Sequence, residues 1–271
     1  MDNFYTILFQ KLVDILVSPC YNVHMKFGCI QISTLVIRMQ KERLCMAYAQ
    51  KNIGTKFNAD GTVRRFPGNT IISMVNHEKD VFTHFLHVRE LFMASPAAPC
   101  VTLLPLDSIH MTVIEGVCDQ VRRPGYWTSF LPLDCPLCAT DALFEARFAE
   151  LAPLGKVTLR MSHVVCTGAI LLRMEPVTPA DEAHLRAYRD AASAALGLRF
   201  PNHDSYHFHI TLGYFTKEPT PAQEQALTEF CAQADRYIAE HDIRMQAEEP
   251  LLTFFDSMFR FEPHRIPRDG E

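Results

Sequence analysis

Apolar residues recur along this chain with two alternating periods, and the changes of period mark its elements. Residues 70–75 are β-branched and apolar and read as a strand, behind turn signals at Asn58-Ala59-Asp60-Gly61 and Pro67-Gly68-Asn69. Over 81–94 the spacing becomes helical. Val81, Phe82, Phe85, Leu86, Leu91 and Phe92 recur near every third or fourth position, with Asn76 or His77 ahead and Ser95-Pro96 as a stop. Strands are expected at 100–104 and 108–115, joined through Pro105-Leu106-Asp107 as an antiparallel hairpin. Residues 119–138 are Pro-rich and irregular, a long surface loop holding the single Trp127. A helix over 141–152 and strands over 156–166 and 169–174 around Thr167-Gly168 come next. Thr178-Pro179 opens a helix that runs to Leu196 and ends at Gly197, and Thr220-Pro221 opens another to about residue 239. Strands at 206–215 and 251–261 complete the order β-α-β-β, loop, α-β-β-α-β-α-β. Helices interleaved with hairpins make an α+β protein, not a regular parallel winding.

Two of these strands carry one pattern. Ser108-Ile109-His110-Met111-Thr112-Val113 and Phe208-His209-Ile210-Thr211-Leu212 each read His-x-Thr-apolar within an apolar run. Strand side chains alternate faces, so His110 and Thr112 point one way while Met111 points into a core. The same holds for His209 and Thr211 around Ile210. The two runs lie 99 residues apart, each late in a roughly similar half of the chain. Side by side, such strands bring two imidazoles and two hydroxyls over one spot. One His can act as base and the other as acid near neutral pH, and the threonines can donate to the non-bridging oxygens of a phosphodiester.

Composition narrows the partners. A chain that is 48% hydrophobic and 21% charged is that of a globular protein. The net charge of −5 gives no global field toward long polyanions, which disfavours duplex nucleic acid as a partner. Nine cysteines, an odd number, and no convincing signal segment point to a reduced, cytoplasmic protein. Cys135-Pro-Leu-Cys138 lacks the second ligand pair that a structural zinc site needs, so it reads as two loop thiols. The opening 17 residues are apolar but broken by Lys11 and Asp14, an amphipathic helix rather than a membrane span. Residues 1–49 carry three of the cysteines and none of the motif context, and are set apart as an N-terminal extension from a domain over 50–265. Met46 stands near that boundary as a candidate start.

The pair His110-Met111-Thr112-Val113 and His209-Ile210-Thr211-Leu212 resembles the signature of the two-histidine phosphoesterase superfamily, whose members include bacterial RNA 2′,3′-cyclic phosphodiesterases. The stretch from Gly54-Thr55-Lys56-Phe57-Asn58 through Arg65-Phe66-Pro67-Gly68-Asn69-Thr70, and the ending Phe254-Phe255-Asp256-Ser257-Met258, are similar to an uncharacterised branch of it. The resemblance implies a bilobal α+β fold, with antiparallel sheets lining a central cleft and helices outside. It implies His110 and His209 as the catalytic pair and Thr112 and Thr211 as phosphate-oxygen donors. No cofactor or metal is implied. The expected partner is a small cyclic phosphodiester, a nucleotide or an RNA end, with no membrane, and the protein is expected to be a monomer.

Further residues join the candidate substrate site. His207 lies two before His209 and so shares its face. Arg64 and Arg65, beside a glycine-containing turn, offer guanidinium groups suited to a phosphate. Tyr206 and Tyr214 are expected on the opposite face, in the core. His84 and His87 fall in the first helix as structural or exposed residues, and His163 lies on a neighbouring strand. Rival readings use fewer of these features. A histidine-triad hydrolase matches His207-Phe208-His209 but has Thr211 where a third His belongs. A metallohydrolase would take His207 and His209 as ligands, and a binding module of the same fold would hold nucleotides or RNA ends without turnover.

Overall fold

The computed structural model describes residues 48–267. The expected amphipathic helix, and the proposed extension up to residue 47, lie outside the described residues. Within them the strands are β1 (Gly68–Met74), β2 (Val101–Leu103), β3 (His110–Cys118), β4 (Thr158–Cys166), β5 (Ala169–Pro176), β6 (His209–Phe215), β7 (Arg244–Gln246), β8 (Leu251–Ser257) and β9 (Arg260–Glu262). The helices are α1 (Asp80–Met93), α2 (Leu137–Phe148), α3 (Pro179–Leu196) and α4 (Pro221–His241). The α+β class holds, with four helices against one curled antiparallel sheet.

That sheet has nine strands in the order β7-β4-β5-β6-β3-β1-β8-β9, with β2 added on β6. The two lobes are therefore two halves of a continuous sheet, β7-β4-β5-β6 and β3-β1-β8-β9, meeting where the motif strands pair. The helices bury their apolar stripes: Val81, Phe85, Val88 and Phe92 on α1, Leu185, Ala192 and Leu196 on α3, Leu227, Phe230 and Ile238 on α4. Both long helices start as their sequences dictate. Thr178 and Thr220 each form a reciprocal capping box, with Asp181 and Gln223 respectively, and Gly197 ends α3 in the left-handed conformation at φ 61°.

Several expectations are corrected. The hairpin between 100–104 and 108–115 does not form. A 3-10 turn over Leu106–Ser108 re-aims the chain, and β2 pairs antiparallel with β6. Gly213 permits this approach, because a Cβ there would lie 2.6 Å from the Thr102 carbonyl oxygen. Helix α2 begins at Leu137, straight after the extended Pro136, rather than at 141, which puts Cys138 in a helix instead of a loop. The last strand is broken into β8 and β9, and the three-residue β7 gave no periodic signal.

Two of the β-bulges on the motif strands, one on each, shape the site. On β3, Ile71 faces Ile114 but Ile72 faces Thr112, so Val113 has no opposite residue. On β6, Leu171 faces Thr211 but Ile170 faces Gly213, so Leu212 has none. In both strands the extra residue follows the motif threonine directly. Each bulge reverses the alternation beyond it, so Glu115 and Tyr214 turn to the side of the histidines.

Candidate active site

Strands β3 and β6 are antiparallel neighbours with Met111 opposite Ile210. Both of these residues are fully buried. The register sets His110 across from Thr211 and Thr112 across from His209, all four on the face away from that core. Cross-strand neighbours of this kind have Cβ atoms roughly 4.5–5.5 Å apart. The four motif residues thus form one cluster, as the alternation predicts.

Both imidazoles are held alike. Nδ1 of His110 lies 2.6 Å from the carbonyl oxygen of Ser108, and Nδ1 of His209 lies 2.8 Å from that of His207. A carbonyl only accepts, so Nδ1 carries the proton in each ring and Nε2 is left to take or give one. The His110 ring is further set by an edge contact with Phe261 at 4.4 Å between centroids. Burial lowers the pKa of His110 to about 4, with the neighbouring His209 adding to the shift and the Ser108 carbonyl opposing it. His209 is lowered too, first by burial and then by the charges of Arg173 and Lys56, while the His207 carbonyl and Glu115 work against this. Both shifts favour the neutral form of the ring in the free protein.

Beside His110 and Thr112 opens a cavity of about 350 Å³. Its wall is aromatic, with Phe66, Tyr126, Phe200, Tyr214, Phe255 and Phe261, and carries Lys56, Arg123 and Glu115. Lys56 Nζ sits 4.5 Å from the Tyr214 ring and the Arg123 guanidinium 4.0 Å from that of Tyr126. Arg173 stands opposite His209 across β5 and β6, which places a further cation beside that ring.

The other candidates are placed as follows. His207 is exposed and serves through its main-chain carbonyl. Arg64 and Arg65 are exposed and neither lines the cavity. Arg64 instead donates to Asn58 Oδ1 at 2.9 Å, and Lys56 brings the cation to the wall. Tyr206 is buried as expected, yet it touches the site, lying beside the Thr112 hydroxyl with its ring 5.9 Å from that of His209. Tyr214 is not in the core, because the bulge at Leu212 turns it to the cavity. His84 bonds the Tyr237 hydroxyl, and His163 is exposed beside Ser162. Sequence alternation missed Glu115, Tyr214 and Lys56. The first two lie beyond bulges, and the third lies in a loop that no period describes.

Among the described residues, Asp190, His203 and Asp204 form the group with metal-ligand spacing. Arg199 binds both of those carboxylates, and none of the three lines the cavity beside His110. No helix among the described residues is long and apolar enough to cross a membrane.

Residues 56–170, which include His110 and Thr112, match the family model 2H-phosphodiest, described as Domain of unknown function (DUF1868). His209 and Thr211 lie beyond the matched stretch. A crystal structure of a conserved protein of unknown function from Agrobacterium tumefaciens strain C58 is similar, with a TM-score of 0.73 at 26% sequence identity over 78% of this chain and 90% of that one. Comparison with curated proteins gave no match. Over residues 56–170 the chain is thus similar to the two-histidine phosphodiesterase family model, and its fold is similar to that of the Agrobacterium protein.

Proposed function

We propose that the protein hydrolyses a cyclic phosphodiester, the 2′,3′-cyclic phosphate of a nucleotide or RNA end, by acid-base catalysis between His110 and His209. The observation that carries this reading is the matched pair of rings. Each is fixed through Nδ1, each has Nε2 free, and each stands across from a threonine. One Nε2 takes a proton from water as its oxygen attacks phosphorus. The other, protonated, gives its proton to the ribose oxygen that leaves, which opens the ring to a phosphomonoester. Thr112 and Thr211 donate to the non-bridging oxygens as charge builds on them. Bound phosphate favours the protonated form of one ring, which offsets the effect of burial on its pKa. The aromatic cavity beside His110 suits the base of a nucleoside, whose ring faces can stack on Tyr214 or Phe261.

The test is hydrolysis of nucleoside 2′,3′-cyclic phosphates with EDTA present. Turnover should persist, and His110→Ala and His209→Ala should each lower kcat by about 10²–10⁴-fold. Activity retained in both variants would overturn the reading. So would loss in EDTA that one metal restores, or phosphate found covalently on His209. Binding of a nucleoside 2′-phosphate by a protein that turns over no cyclic phosphodiester would make it a binding module.

A further inference from the structure

We infer that Arg189 is a positioning residue that clamps the two histidine strands together and so sets the spacing of the catalytic pair. The inference rests on the phosphodiesterase reading above. The two halves of the sheet meet at β3 and β6, and the pairing between these strands is a single residue pair, Met111 with Ile210. By contrast, β1 and β3 pair over six positions, and β5 and β6 over five. Backbone hydrogen bonding therefore does little to hold His110 in register with His209.

The Arg189 side chain, from α3, lies at that junction and is completely buried. Its Nη1 donates to the carbonyl of Val113, the unmatched residue of the β3 bulge that follows Thr112. Its Nη2 reaches Glu115 at 3.5 Å, the residue that the same bulge turns to the cavity. Its guanidinium plane lies 4.1 Å from the ring of Tyr206 and 5.8 Å from that of Phe208, the segment that leads into His209. One planar cation thus grips the chain just after the first motif and just before the second. The matching bulge on β6 needs no such group, because the Leu212 carbonyl accepts from the Leu104 backbone N–H.

A stabilising role alone explains the arrangement poorly. A buried guanidinium is costly unless its donors are met. Here Nε has no partner and the one carboxylate is partly exposed. Lysine could not reproduce the grip, since a point charge has neither a fork for Val113 and Glu115 nor a plane for Tyr206.

The test uses Arg189→Met and Arg189→Lys in the full chain, with folding checked by circular dichroism and thermal melting. For a nucleoside 2′,3′-cyclic phosphate, kcat should fall about tenfold or more in both, with KM changed by less than about threefold, as expected when reacting groups are displaced but binding is kept. If Arg189→Met does not fold, Arg189→Lys carries the test. A second readout needs no turnover. In the wild-type background, His209→Asn should shift the NMR titration of His110, because the two rings interact. In the Arg189→Lys background the same replacement should leave His110 unmoved. Turnover within about twofold of wild type in both variants would overturn the clamp. Loss of turnover with the His110 shift intact would also overturn it. A wild-type protein without turnover would sink the phosphodiesterase reading alone, and the NMR coupling would still decide the clamp.

Discussion

His110 shows how much one residue gains from its surroundings. Its ring is an ordinary imidazole until burial and the neighbouring His209 lower its pKa to about 4. Two measurable results follow. A unit of pKa shift is worth about 1.4 kcal/mol, so this residue alone opposes acid stability by up to about 3 kcal/mol. The sign is fixed by which state binds the proton. Between pH 6.5 and about 4 the unfolded chain is protonated here and the native one is not, so stability falls as pH falls through that window. Urea unfolding at pH 7 and 4.5 should show a smaller loss for His110→Asn than for the wild type. An equal loss in both would place the acid sensitivity elsewhere. The same shifts bear on catalysis. Under the proposed mechanism the productive free protein has one ring neutral and one protonated, and both pKa values are lowered from the usual 6.5. The profile of kcat/KM against pH should therefore peak below 6.5, with limbs that belong to the pair rather than to either ring. A maximum above pH 7 would show that the substrate-free rings are not depressed.

At the scale of elements, local chemistry and tertiary context divide the work. The capping boxes of α3 and α4 follow from Thr-Pro starts that can be read directly from the chain. Thr178→Ala should cost about 1 kcal/mol in chemical denaturation without changing KM, because it removes a cap remote from the cleft. The motif strands are different. Their alternation is legible only as far as Thr112 and Thr211, since each bulge then reverses it. No residue type announces a bulge at Val113 or Leu212. Each forms because the partner strand's register demands an extra residue, and that demand comes from chain distant in sequence. Gly213 belongs to the second bulge and to the approach of β2. Gly213→Val should lower the melting temperature sharply, since the added carbons meet the Thr102 carbonyl and the Val101 side chain. An unchanged melting temperature would mean that β2 yields without cost.

For the whole molecule, the decisive fact is that the halves of one sheet meet at the motif strands, with an aromatic cavity on the His110 side. If the cavity receives a nucleobase, Tyr214→Ala should raise KM for a nucleoside cyclic phosphate about tenfold, the stacking worth of one base. It should leave glycerol 1,2-cyclic phosphate, which has no ring to stack, little affected. Equal effects on both substrates would assign Tyr214 to shaping the site instead. The repeated His-x-Thr pattern with its period-two alternation determined the four central residues, and the change between strand and helix periods determined the α+β class. These depend only on local geometry, in which alternate side chains share a face. Tertiary structure alone decided that β2 joins β6, that Glu115 and Tyr214 turn to the cavity, that Lys56 rather than Arg64 or Arg65 lines it, and that Arg189 lies across the junction. Each of these depends on contacts between residues far apart in the chain, and neither the periodicity of a segment nor its residue types record which distant strand it will meet.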